Sequence, residues 1–154
     1  MSADRARAEL ESAVTTAMLR VFDKVQRSRR LARDYGTGDR LTMVEAEVCH
    51  LVAAERAISP SELAERTGVS RSAVSQALNR MRERGLVVVD QPAGNARARE
   101  VRVTDAGALV ADGVNAMYRE MAAAVYGDAP DDLEALLGLF TRLDTFFDQV
   151  MRDS

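Results

Sequence analysis

The 154-residue chain is 47% hydrophobic and 29% charged, with one cysteine, three prolines and nine glycines. This suits one domain, or one lobe with helical flanks, and excludes a disulfide framework and a low-complexity chain. No run of about 18 apolar residues and no signal-peptide pattern occurs, so a cytoplasmic chain without a membrane span is expected. The net charge is −3, but residues 58–104 hold eight basic and five acidic side chains, a local +3 that leaves −6 elsewhere. A basic lobe in an acidic chain remains compatible with a polyanionic partner, because phosphate binding follows local charge.

Residues 4–35 read as one long helix. Leu10, Val14, Ala17, Val21, Val25, Ala32 and Tyr35 recur at threes and fours, and Met18, Phe22 and Leu31 widen the stripe. Such a helix is roughly 48 Å long. That outruns a small core, so part of its stripe is expected to meet another subunit. Arg27, Arg29, Arg30 and Arg33 cluster near its end, where either a solvated face complementing the helix dipole or a functional role accounts for them. Gly36, Thr37 and Gly38 are expected to stop it.

Thr42 and Glu45 form a capping box for a second helix, with Val44, Val48, Leu51 and Val52 on one side. Cys49 and His50 lie beside that stripe. A buried structural cysteine is the favoured reading over a redox sensor. One His next to one Cys cannot build a four-ligand zinc site without several carboxylates, so no metal is expected.

The stretch 59–104 carries the most specific pattern. Ser59 and Glu62 form a second capping box, with Pro60 at the first helical position. Gly68 turns the chain, Val69 plugs the corner and Ser70 caps the next helix. In that helix Ala73, Val74, Ala77, Leu78 and Met81 face inward, while Arg71, Ser72, Ser75, Gln76, Asn79 and Glu83 face outward. Gly85 ends it. Leu86 to Val89 suits a strand, Pro92 to Asn95 a loop, and Val101 and Val103 alternate on a returning strand. Helix-turn-helix plus hairpin is a winged helix. The exposed side of its second helix is short, polar and hydrogen-bonding, as the reading of base edges in a major groove requires. The competing reading is a winged helix used for protein contacts, with that face merely solvated.

ISPSELAERTGVSRSAVSQALNRMRERGLV, followed by a hairpin closing on REVRVTDAG, resembles the MarR family of bacterial transcription regulators. The resemblance covers about residues 41–107. It implies a homodimer that binds a pseudo-palindromic operator on double-stranded DNA and represses transcription. It also implies that Arg97 enters the minor groove from the wing, with Arg99 on phosphate. The family's wing carries Asp-x-Arg near its tip; here the matching residues are Asn95 and Arg97, so the arginine lacks its anionic clamp. Hydroperoxide-sensing members place their cysteine on the first helix, where this chain has none. Ser72, Ser75, Gln76 and Asn79 are the base-edge candidates, and Arg71 and Arg80 reach either phosphates or bases.

Thr104 caps a fifth helix running to about Tyr126, with Val110, Val114, Met117, Met121 and Val125 along one face and Gly127 after its end. Pro130 opens the last helix, with Asp131 and Asp132 in its first turn. Its stripe (Leu133, Leu136, Leu137, Phe140, Leu143, Phe147, Val150 and Met151) has no counterpart within a winged helix. Leu10, Val14, Leu136, Phe140 and Phe147 are therefore the expected dimerisation residues. The expected architecture is mainly α with a small β-hairpin wing. A dimerisation helix spans residues 1–40, the winged helix-turn-helix 41–104, and the C-terminal helices 105–154.

No Ser-His-Asp set can be assembled from the single His, no phosphate-cradling glycine motif occurs, and acidic pairs such as Asp131 and Asp132 are adjacent and suit capping better than acid-base work, so no catalytic residue and no cofactor are expected. The family often takes small aromatic or phenolic effectors between the DNA lobe and the helical layer. The resemblance offers Phe22, Tyr35, Met117 and Met121 as lining, with a cation from Arg29, Arg30 or Arg33. The plainer reading of the methionines is ordinary core.

Overall fold

Capping decides where the helices of the lobe begin. In both expected boxes the loop is closed in both directions: Thr42 Oγ1 accepts from the Glu45 N–H, and Ser59 Oγ from that of Glu62. Each glutamate in turn accepts from the N–H and hydroxyl of its capping residue, at 2.7–3.0 Å. Such a box satisfies donors that a helix start otherwise leaves orphaned. The computed structural model describes residues 3–91, 99–127 and 132–152. Along them run α1 (Ala3–Ser28), β1 (Arg33–Asp34), β2 (Arg40–Leu41), α2 (Met43–Glu55), α3 (Pro60–Thr67), α4 (Arg71–Glu83), β3 (Val87–Asp90), β4 (Glu100–Val103), α5 (Asp105–Tyr126) and α6 (Leu133–Arg152). The fold is mainly helical with a small antiparallel wing, as expected. None of its described helices is long and apolar enough to cross a membrane.

The chain divides into two compact units, Met1–Asn115 and Ala116–Ser154. The core of the first is built by Val48 and Val52 of α2, Leu63 of α3, Val74 and Met81 of α4, Val101 of β4, and Val110 and Val114 of α5, all 0% exposed. Each such side chain contributes about 1.5–3 kcal/mol by leaving water. In the wing, β3 pairs β4 with Val87 opposite Val103 and Val89 opposite Val101. Ile58 adds a bridge that the sequence did not announce: it exchanges both backbone hydrogen bonds with Val101, and so ties the start of α3 to the wing.

The first helix is shorter than its hydrophobic pattern suggests. It ends at Ser28, and the chain leaves it through i→i+3 turns at Arg30 and Leu31. Two forces beat the periodicity. Arg29 turns inward, its Nη2 donating to Glu47 Oε2 at 2.7 Å and to the Thr67 carbonyl at 3.0 Å. Beyond it, Asp34 Oδ1 accepts three backbone N–H groups, from Gly36, Thr37 and Gly38. Gly36 and Gly38 have φ of 95° and 81°, values that favour glycine. The Gly-Thr-Gly stretch is thus the turn of a β1–β2 hairpin and not a helix stop. Tyr35, expected on the first helix, instead lies 5% exposed in the core, with its hydroxyl donating to Met43 Sδ at 3.3 Å.

Thr104 starts α5 as expected and also fastens it: its Oγ1 accepts from the Gly107 N–H at 3.2 Å and donates to the Gly85 carbonyl at 2.6 Å. Two glycines let α5 approach closely. A Cβ on Gly107 would overlap the Leu86 carbonyl oxygen, and one on Gly113 would overlap that of Tyr35. Along α5 the apolar face emerges from burial. Val110 and Val114 are fully buried, Met117 is half-buried, and Met121 and Val125 are exposed.

Among the described side chains of α1 and α6 none is buried. Leu10, Val14, Phe140 and Phe147 are 65%, 52%, 47% and 37% exposed, and Leu136 is half-buried. Pro130 and Asp131 lie outside the described residues.

Candidate nucleic-acid interface

The site begins with how α4 is held. Gly68 closes α3 in the left-handed conformation, with φ 66°. Ser70 then caps α4, its Oγ accepting from the Ala73 N–H at 3.2 Å. At the other end the Leu86 N–H reaches the Met81 carbonyl and the Gly85 N–H that of Arg82, with Gly85 at φ 70°. This is a Schellman closure, and its usual hydrophobic contact is available in Leu86 and Met81, 1% and 0% exposed. Both ends of α4 are therefore fixed by backbone geometry, and Val74, Ala77, Leu78 and Met81 seat it on the core.

The opposite face is open. Arg71, Ser72, Ser75, Gln76, Asn79, Arg82 and Glu83 are all exposed, as the helical spacing required. By that spacing Ser72, Gln76, Asn79 and Glu83 run down the middle of the face, with Arg71, Ser75 and Arg82 on one edge and Arg80 on the other. These middle residues can donate to or accept from base edges.

Arg80 differs from its neighbours. Its Nε donates at 2.9 Å to Oε1 of Glu45, which is 4% exposed. Burial pushes the Glu45 carboxyl up, yet the hydrogen bonds from the Thr42 N–H, Arg80 and the Thr42 hydroxyl outweigh it and hold the group below its usual range. Sequence reasoning placed Glu45 only in a cap. Its contact with Arg80 spans 35 positions, a distance that no periodicity reports.

At the base of the wing Arg82 and Arg99 line an open cleft of about 340 Å³ with Val89, Asp90 and Gln91. Asp90 is engaged by Arg102 in an ion pair across the hairpin, which offsets the one carboxylate of the cleft. Arg82 was not singled out in the sequence. The signal was present, since it lies three residues beyond Asn79 along the same helix. Arg97 and Asn95 lie outside the described residues.

The residues expected to line an effector site fall in both units. Phe22 is half-buried and Arg30 exposed in the first unit; Met117 is half-buried and Met121 exposed in the second. Tyr35 is a core residue, and Arg29 is committed to Glu47 and the Thr67 carbonyl. Cys49 is fully buried, and its thiol is pushed up to about 12, first by burial and then by the Glu45 charge. Such a thiol is a structural filler and a poor nucleophile.

A family model described as the MarR family matches residues 41–98. No curated protein matches the chain. Among solved structures, the transcriptional regulator BldR from Sulfolobus solfataricus is 21% identical over 94% of this chain and 99% of that one, with a TM-score of 0.64. The MarR family transcription regulator SP03579 is 17% identical over 98% of both chains, at 0.75. A mutant MarR from E. coli, solved with operator DNA, is 18% identical over 86% of this chain and 95% of that one, at 0.67.

Proposed function

We propose that this chain, whose residues 41–98 match a model of the MarR family, is a homodimeric transcriptional regulator binding a pseudo-palindromic operator. The observation that carries this is the outer face of α4: short hydrogen-bonding side chains in the middle, arginines at both edges. In this reading α4 lies in the major groove. Ser72, Ser75, Gln76 and Asn79 meet base edges, and Arg71 flanks them. Arg82 and Arg99 take backbone phosphates at the wing base, and Arg97 reaches the minor groove. The division of labour follows from chemistry. Bidentate amides discriminate bases, whereas guanidinium groups on phosphate fix position without reading sequence.

The second copy is supported by the apolar stripes that α1 and α6 leave exposed, including Leu10, Val14, Leu136, Phe140 and Phe147. Exposed apolar surface on this scale marks an interface. The segments 1–40 and 105–154 then serve dimerisation, and 41–104 reads DNA. A dimer places its two recognition helices about 34–36 Å apart, one turn of DNA. Repression in the cytoplasm, relieved by a small aromatic or phenolic ligand, completes the reading. Such a ligand would release DNA only by as much as it prefers the non-binding spacing.

The test is selection of genomic fragments by the purified protein, followed by binding to the enriched duplex over a salt series. The reading expects an inverted repeat and an affinity that falls steeply with salt. Fragments without a common motif, bound without salt dependence, would make the winged helix a protein-interaction module.

A further inference from the structure

Arg80 stands at the edge of the exposed face of α4, one turn beyond Gln76. Its side chain is 53% exposed, while that of its partner Glu45 is 5% exposed. Glu45 is itself immobilised, because its other oxygen accepts from the N–H and hydroxyl of Thr42 at 2.9 and 3.0 Å. A guanidinium presents five N–H donors in a planar fork. Nε spends one on Glu45; among the described residues no group accepts from the two terminal amino groups. Four donors in a fixed plane are thus left on a half-exposed cation whose swing is restrained from behind.

We propose that Arg80 contacts a backbone phosphate and that Glu45 is its positioning residue, holding the fork at the margin of α4 where a groove wall would run. The inference rests on the reading of α4 as the recognition helix. Three features favour phosphate over a base edge. The residue lies on the flank of the face, with Ser72, Gln76 and Asn79 between it and the other edge. Its Nε is anchored to α2, which keeps the guanidinium beside the lobe and away from the middle of the face. The donors that remain are the terminal ones, which suit bidentate contact with phosphate oxygens. A restrained fork also loses less freedom on binding than a free one.

The substitution that separates this from a merely structural ion pair is Glu45→Gln. Glutamine is competent at the third position of a capping box, so α2 keeps its cap while Arg80 loses its anionic anchor. Wild type, Glu45→Gln, Arg80→Ala and the double variant are compared on the selected operator and on an unrelated duplex over a salt series, with thermal melting alongside. The expected result is that Glu45→Gln weakens binding to both duplexes by the same factor, about three- to tenfold. In the Arg80→Ala background it should have no further effect on binding, and Arg80→Ala should reduce the salt slope by about one. A Glu45→Gln protein that melts lower yet binds as wild type would overturn the proposal. So would losses that add in the double variant, or an Arg80→Ala protein that relaxes preference at one base pair. If wild type bound neither duplex with salt dependence, the reading of α4 itself would fall and this proposal with it.

Discussion

The lobe of α2, α3 and α4 and the long helices α1 and α6 all carry large apolar side chains, yet these meet different fates. In the lobe Val48, Leu63, Val74 and Met81 are 0% exposed, whereas Leu10, Phe140 and Met151 of the long helices are 65%, 47% and 69% exposed. Periodicity says which face of a helix is apolar; it does not say what covers that face. The lobe closes its core within one chain, and a face left in water invites a second surface.

The difference can be broken by paired substitutions. Leu63→Ala should cost about 2–5 kcal/mol of stability, seen as a lower urea midpoint at any protein concentration. Phe140→Ala should act through association, so that the unfolding midpoint loses its dependence on concentration. Equal, concentration-independent losses in the two variants would remove the contrast. A smaller effect separates the glycines of α5 and α6. Gly113→Ala forces a Cβ into the Tyr35 carbonyl and should lower stability by about 1–3 kcal/mol, the range for overpacking. A Cβ on Gly138 would meet nothing nearer than the Arg142 guanidinium at 3.5 Å, so Gly138→Ala should be neutral or stabilising, by up to about 1 kcal/mol of helix propensity. Melting curves check both.

Two titrations in α2 refine the picture of the lobe. The Glu45 carboxyl is held below its usual range, so its contribution to stability is complete above the ordinary glutamate pKa and disappears as pH falls through the lowered value. Glu45→Gln should therefore flatten the acid side of the stability–pH curve; an unchanged acid limb would show the pair to be unimportant to folding. Glu47 has the opposite sign. Burial pushes its carboxyl up despite the partly compensating Arg29, so its ionisation opposes folding as pH rises. The smallest effect concerns Cys49. With its thiol pushed up to about 12, native protein at pH 8 should resist alkylation, and peroxide should not release it from DNA through this residue. Rapid labelling in the native state would contradict the burial.

What was legible in the sequence was local. The capping boxes at Thr42 and Ser59, the Gly68 turn and the inward set on α4 depend on neighbours three or four positions away, and the structure shows them as read. What was not legible depended on distant partners. Residues 29–35 continue a helical pattern, but Arg29 has Glu47 to meet and Asp34 has a turn to fold. Tyr35 fits a helix stripe and lies instead in the core. Gly107 and Gly113 look like isolated glycines until α5 is seen against the Leu86 and Tyr35 backbones. Of the residues proposed to meet DNA, the outward set on α4 followed from spacing, whereas the Glu45–Arg80 tie could come only from the fold.

The most direct test of the central claim, that two copies of α4 read base edges, is the affinity of Asn79→Ala for the operator and for its single-base-pair variants. The account predicts a loss of about 1–3 kcal/mol against the native site, with preference relaxed at one position in each half-site and retained elsewhere. A uniform loss across all variants, like that expected for removal of the phosphate contact proposed for Arg99, would contradict it.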